Sequence, residues 1–172
     1  MPRRNILRET IDCIEEFFPI ILIATVLAAS AFGAGTVTVT RTSNDLSGGH
    51  TRYQIITIDW VGDSSDGSVP TKSIPLYGWV QKAVTNPGSP APSANYDIAF
   101  TDPEDSALDI FANALQNRHT TTTEQVYPLI AGSPGTVSSV KVFTAGSYLF
   151  TLTGNSVASA AGRLVLYLTD QP

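Results

Sequence analysis

The chain has almost no sulfur chemistry. Cys13 is the only cysteine and Met1 the only methionine in 172 residues. From Gly33 onward there is no cysteine, which excludes a disulfide framework, a thiolate nucleophile and a cysteine zinc cluster there. Histidine is nearly as scarce: His50 and His119 lack a Cys or His at metal-ligand spacing. Charged residues make up 15% of the chain, against about 25% in average proteins. The net charge is −5, and Arg3, Arg4 and Arg8 all fall early, so the remainder is more acidic still. An acidic domain has no attraction for phosphate backbones, which argues against nucleic acid as a partner. A Gly-x-Ser-x-Gly elbow is absent, and Ser47-Gly48-Gly49 leads toward a strand, not a phosphate-binding helix.

What is present changes character near Gly33. Before it, Ile6, Leu7, Ile11 and Ile14 recur at helical spacing among charged residues. Phe17 to Gly35 then runs without a charge and includes Phe17, Phe18, Ile20, Ile21, Leu22, Ile23, Val26 and Leu27. Residues 1–35 thus read as an amphipathic and apolar helical segment. Three roles compete for it: a membrane span near minimum length, a signal peptide with Ala29-Ser30-Ala31 as its cleavage site, and a helix buried in protein. The flank Glu9, Asp12, Glu15 and Glu16 is acidic where a signal peptide wants positive charge, so retention is expected. Contact with a membrane through residues 17–35 stays open.

Residues 36–172 read as a single β-domain. Thr36-Val37-Thr38-Val39-Thr40-Arg41 alternates β-branched residues and opens it as a strand. Tyr53 to Val61 follows, with Ile56, Ile58 and Trp60 on one face. Ser73 to Val84 is one strand, or two broken at Pro75 and Gly78. Further strands are expected at Tyr96–Phe100, Glu124–Ile130, Ser138–Phe143, Tyr148–Thr153 and Arg163–Thr169, with a tight turn at Gly154-Asn155. Asp102-Pro103-Glu104-Asp105 carries helix-start signals, and Leu108, Phe111, Ala112 and Leu115 follow at helical spacing, so one short helix is expected there. In the last strand Leu164, Leu166 and Leu168 alternate with Val165 and Tyr167, making both faces apolar, as in a central or interface strand. The expected core comprises Ile56, Ile58, Trp60, Phe100, Tyr148, Phe150, Leu164 and Leu166. About eight strands and regular turns point to an all-β fold, a β-sandwich or jelly roll.

The succession Thr36–Arg41, Ile58-Asp59-Trp60-Val61, Tyr96–Asp102, Ala112-Asn113, Asn117-Arg118, Glu124-Gln125-Val126 and Arg163–Leu168 resembles a group of small structural proteins encoded among the virion genes of tailed bacteriophages and prophages. The resemblance spans roughly residues 36–168. It implies a β-rich particle component without a catalytic site. The N-terminal 33 residues depart from it, since similar chains begin close to the Thr-Val-Thr-Val strand.

Potential sites have plain structural explanations. His50 and His119 sit in polar loops. Asp63 and Asp66 lie in Gly62-Asp63-Ser64-Ser65-Asp66-Gly67, which lacks the spacing of a calcium loop and reads as a turn. Asp102, Glu104, Asp105 and Asp109 suggest paired carboxylates, but a helix cap accounts for the first three. Tyr77 and Trp79 share a strand face, as a sugar-stacking platform or, the favoured reading, as core or subunit interface.

The expectation is therefore a non-enzymatic virion component of head, neck, tail or fibre, with no catalytic residue, metal or cofactor. Its partners are itself and other virion proteins. The interface and insertion candidates are the apolar residues of 17–27 named above with Tyr77, Trp79 and Tyr167. The alternative is an exported or membrane-anchored bacterial envelope protein presenting a β-sandwich binding domain.

Overall fold

In a computed structural model of the chain, residues 33–45, 52–131 and 137–172 are described. The candidates Phe17, Phe18, Ile20, Ile21, Leu22, Ile23, Val26 and Leu27, and His50, lie outside them. Two units divide the chain at Gly33, and the described one is Ala34–Pro172. Its strands are β1 (Thr36–Asp45), β2 (Arg52–Val61), β3 (Lys72–Pro87), β4 (Asp97–Thr101), β5 (Glu124–Val126), β6 (Leu129–Ala131), β7 (Val137–Ser139), β8 (Val142–Thr153) and β9 (Ala161–Thr169). The all-β class stands. Seven strands form one antiparallel sheet in the order β1-β2-β9-β3-β8-β4, with β5 on β3, while β6 and β7 pair separately.

The long strand β3 holds the sheet together. Its first half pairs with β8, from Lys72↔Phe150 to Val80↔Val142. Its second half pairs with β9, from Trp79↔Thr169 to Pro87↔Gly162. Proline is tolerated at position 75 because β3 has a ladder partner only on its β8 side there, so no ladder bond is lost on the other. Gly78 sits at the crossover with φ 120°, and a Cβ there would lie 2.6 Å from the Thr169 carbonyl oxygen. Only glycine fits that approach. Gln81 is then an extra residue between the Val80↔Leu168 and Lys82↔Tyr167 pairs, a bulge that bends the strand further.

The bend folds the sheet over its own core. Trp60 of β2 meets Tyr96 beside β4 at 5.8 Å between ring centroids, although β9, β3 and β8 separate the two strands in the order. Phe100 contacts both Phe111 and Phe150, at 5.9 and 5.6 Å. Ile56, Ile58, Trp60, Phe100, Phe150, Leu164 and Leu166 are buried as expected, whereas Tyr148 is only half-buried. Each large side chain in this core is worth about 1.5–3 kcal/mol of burial.

Three loops are stitched together at one end of the sheet by a single amide. The Asn155 Nδ2 donates to the carbonyls of Gly67 (2.7 Å) and Val157 (3.4 Å). Its Oδ1 accepts from the backbone N–H groups of Ser93 (3.0 Å) and Val157 (3.3 Å). This network replaces the tight turn expected at Gly154-Asn155 with a longer loop between β8 and β9. Other expectations also change. Glu124–Ile130 divides into β5 and β6 around Pro128, whose ring nitrogen has no ladder donor. The strands expected at Ser138–Phe143 and Tyr148–Thr153 become β7 and one continuous β8.

The helix expected after Asp102 does not form: among the described residues there is none. Side chains there compete with the helical backbone pattern. The Asp102 and Asp105 carboxylates accept from Glu104 N–H (2.8 Å) and Ala107 N–H (3.0 Å) in local turns. The Asp109 carboxylate accepts from the N–H groups of Phe100, Phe111 and Asn113 at 2.9–3.1 Å. Ala112 and Asn113 then take left-handed φ values of 47° and 64°. The result is a chain of turns that covers the edge of β4, with Ile98 N–H donating to the Leu115 carbonyl and Ile110 N–H to that of Phe100, both at 3.0 Å. Phe111 and Leu115 still reach the core, but from turns.

Candidate functional site

Strand alternation sorts the aromatic residues by face. In β3, Ile74, Leu76 and Val80 point into the core, so Tyr77 and Trp79 point outward. Tyr77 is 66% exposed and Trp79 half-buried. Of the favoured reading, core or subunit interface, the core half is thus corrected: inward positions of β3 belong to the alternate residues. Tyr167 lies on the outward face of central β9, half-buried, with the Lys82 ammonium 4.9 Å from its ring centroid. That placement gives a cation–π contact and covers part of an otherwise apolar position. The same ammonium donates to Gln125 Oε1 at 2.9 Å.

Phe143 was not among the sequence candidates, yet it completes the outward aromatic group. It lies directly opposite Trp79 in the β3–β8 ladder, and the two rings meet at 5.3 Å and 55°. It is 56% exposed. Its alternation with buried Thr144 is a usable signal, but it becomes legible only once β8 is known to start at Val142.

Beyond Phe143 lies an apolar groove of about 420 Å³. Leu108, Ile110, Leu129, Val142, Phe143 and Tyr148 form most of its lining. Leu108 is 56% exposed at its rim, while Ile110 is buried at its base. The turns fixed by Asp109 present both residues, so the local loss of helix creates one wall. Sequence reading assigned Leu108 to a helix face and missed this surface.

The polar groups singled out from sequence are occupied by the backbone. The His119 Nδ1 accepts from the N–H groups of Thr121 (3.1 Å) and Thr122 (3.0 Å). The His119 backbone N–H donates to Glu124 Oε2 at 2.9 Å, and Arg118 pairs with the same oxygen at 3.4 Å. Asp63 accepts from the Ser65 hydroxyl and N–H, which hold its carboxyl below the usual range. Asp66 accepts from Ser68 N–H at 2.8 Å. These are turn interactions, as expected for Asp63 and Asp66. Among the described residues, His, Cys, Asp and Glu do not gather in groups of three that could hold a metal ion. Among them, too, no helix is long and apolar enough to cross a membrane.

One phenol is strongly perturbed. Burial pushes the Tyr96 hydroxyl up to about 12; the Glu124 charge adds to the shift and Arg118 opposes it. Tyr96 packs on Trp60 inside the core, so this marks a structural position.

No protein-family model matches the chain, and no curated protein matches it.

Proposed function

We propose that this chain is a non-catalytic assembly module, a structural component of a tailed-bacteriophage virion in its head, neck, tail or fibre. The apolar groove carries the reading. A 420 Å³ hollow with apolar walls and an exposed leucine at its rim gains free energy by burial against another subunit. The outward face of β9 adds to it, because Val165 and Tyr167 give that central strand apolar character on both sides. The polar candidates support the absence of chemistry. Asp109 and the Nδ1 of His119 already accept backbone N–H groups, which leaves them structural roles. The virion assignment itself rests on the resemblance over residues 36–168.

In this reading the folded sheet works as a β-sandwich, with the halves around β3 as its two layers. Residues 1–35 serve as a helical insertion or docking element, and the partners are further copies and other virion proteins. No cofactor takes part.

Two measurements test the proposal. Sedimentation velocity of the full-length chain should show a homo-oligomer or a stable complex with another particle protein, and Leu108→Asp should shift it toward monomer. A monodisperse wild-type monomer that binds no particle protein refutes assembly. Mass spectrometry of purified particles should find the chain; recovery from the bacterial envelope alone replaces the virion reading with the envelope one.

A further inference from the structure

Exposed aromatic area is concentrated at the corner where β3 leaves β8 for β9. Tyr77, Trp79 and Phe143 stand there on the outward face; the β3–β8 ladder holds the backbone beneath all three, and the β3–β9 ladder begins at Trp79. On one flank, Tyr77 borders a hollow of about 250 Å³ with Tyr53, Arg52, Gln54, Thr169 and Asp170. On the other, the bulge residue Gln81 borders a hollow of about 230 Å³ with Tyr127, Ser139 and Lys141. Part of this polar lining is tied internally, since Gln81 Nε2 donates to Thr169 Oγ1, Thr169 Oγ1 to the Gln171 carbonyl, and the Arg52 N–H to Asp170 Oδ1. The strip thus sets ring faces beside polar side chains, Ser139 and Lys141 among them.

We propose that this strip is a carbohydrate-binding site that takes an oligosaccharide across Tyr77, Trp79 and Phe143. A pyranose ring offers an apolar C–H face bordered by hydroxyls. Its recognition therefore needs aromatic surface with donors and acceptors beside it, which this strip combines. A protein segment docking by apolar burial is matched better by the larger apolar groove at Leu108, Ile110 and Val142, which meets the strip at Phe143. Trp79 and Phe143 are tilted by 55° relative to one another, so they suit successive sugar rings set at an angle rather than one flat planar ligand. Strand placement matters as well: the side chains project from a paired sheet, so little ordering of the backbone accompanies binding. The inference stands on this strip alone and does not depend on the virion assignment.

The test uses the full-length chain on an array of bacterial surface and storage oligosaccharides that includes maltohexaose, chitohexaose and lipopolysaccharide O-chain fragments. At least one should be retained and should change tryptophan emission on titration. Trp79 is the reporter, since Trp60 is 1% exposed within the core. Tyr77→Ala and Phe143→Ala should each weaken binding about tenfold. Trp79→Phe should keep binding and lose the emission change, and Leu108→Ser should bind like the wild type. Circular dichroism separates loss of binding from loss of fold; Tyr77→Ser at a 66% exposed position is the variant safest in that respect. The proposal is wrong if no glycan on the array is retained, or if binding ignores both alanine variants. It is equally wrong if Tyr77→Ala instead dissolves a homo-oligomer, because the strip is then a subunit contact; Phe143 also lines the groove at Leu108, so only Tyr77→Ala makes that distinction.

Discussion

Gly162→Ala should destabilise the protein through one contact. Gly162 lies directly opposite Trp60 in the β2–β9 ladder, and the indole lies across it. A Cβ at position 162 would sit 2.4 Å from Trp60 Cζ2, 2.6 Å from Cε2 and 2.9 Å from Nε1. Relief requires the ring to retreat by about 1 Å to reach ordinary carbon–carbon separation. The ring has little room for that, being 1% exposed and packed on Tyr96 at 5.8 Å. Overpacking of this kind costs typically 1–3 kcal/mol, and a rigid indole places this case near the upper end. Replacing glycine also stiffens the unfolded chain, which returns about 0.4–1 kcal/mol. The net loss is therefore about 2 kcal/mol. With urea m-values of about 1–3 kcal/mol/M for small domains, the unfolding midpoint of the full-length chain should fall by about 1 M. A double-mutant cycle with Trp60→Leu isolates the contact, because the alanine should cost far less once the indole is gone. An unchanged midpoint for Gly162→Ala, or strict additivity with Trp60→Leu, would refute the steric argument.

Three further outcomes are expected. Asn155→Ala removes the amide that joins the loops at Gly67, Ser93 and Val157, and should cost about 1–3 kcal/mol by leaving their backbone groups unpaired; hydrogen exchange at the Ser93 amide should accelerate, and unchanged protection there counts against the hub. Asp109→Ala should release the Phe100, Phe111 and Asn113 amides and loosen the wall of the apolar groove, read as faster exchange of those three amides with β1 and β2 unaffected; equal loosening of β1 would show that the turns are not an independent unit. Tyr96 holds its proton up to about 12 in the folded chain against about 10 when unfolded, so above pH 10 the unfolded state has lost protons that the folded state keeps. Stability should therefore be unaffected by this group below pH 10 and decline as pH climbs from 10 toward 12; ultraviolet titration in which a Tyr96→Phe variant loses no late-ionising phenol would contradict it.

Strand identity was written locally. Alternation of β-branched and polar residues marks β1, and the period-two pattern of Ile56, Ile58 and Trp60 or of Leu164, Leu166 and Leu168 states which side faces inward. Such patterns are legible because a strand's two faces depend only on residue parity. The all-β class and most of the core follow from them.

What tertiary structure decided is where local signals competed with distant partners. The acidic start at Asp102 has the composition of a helix cap, but Asp109 accepts from Phe100, a residue of β4, as well as from Phe111 and Asn113. That bond back to a strand holds the segment in turns, and helix propensity does not register it. Pro75 and Gly78 look like strand breakers. In the fold they are a position with a ladder partner on its β8 side only and a close backbone approach to Thr169, so β3 passes through both and joins two halves of one sheet. The candidate surfaces arise at the same level. Tyr77 and Trp79 were visible as a pair on one strand face, but whether that face met core or solvent depended on which residues of β3 the sheet enclosed. Phe143 joins them only through the β3–β8 register, and Leu108 meets Val142 only after the turns have set the groove wall. Parity along one strand is a property of the chain, whereas a surface shared by β3, β8 and a chain of turns exists only once they are packed.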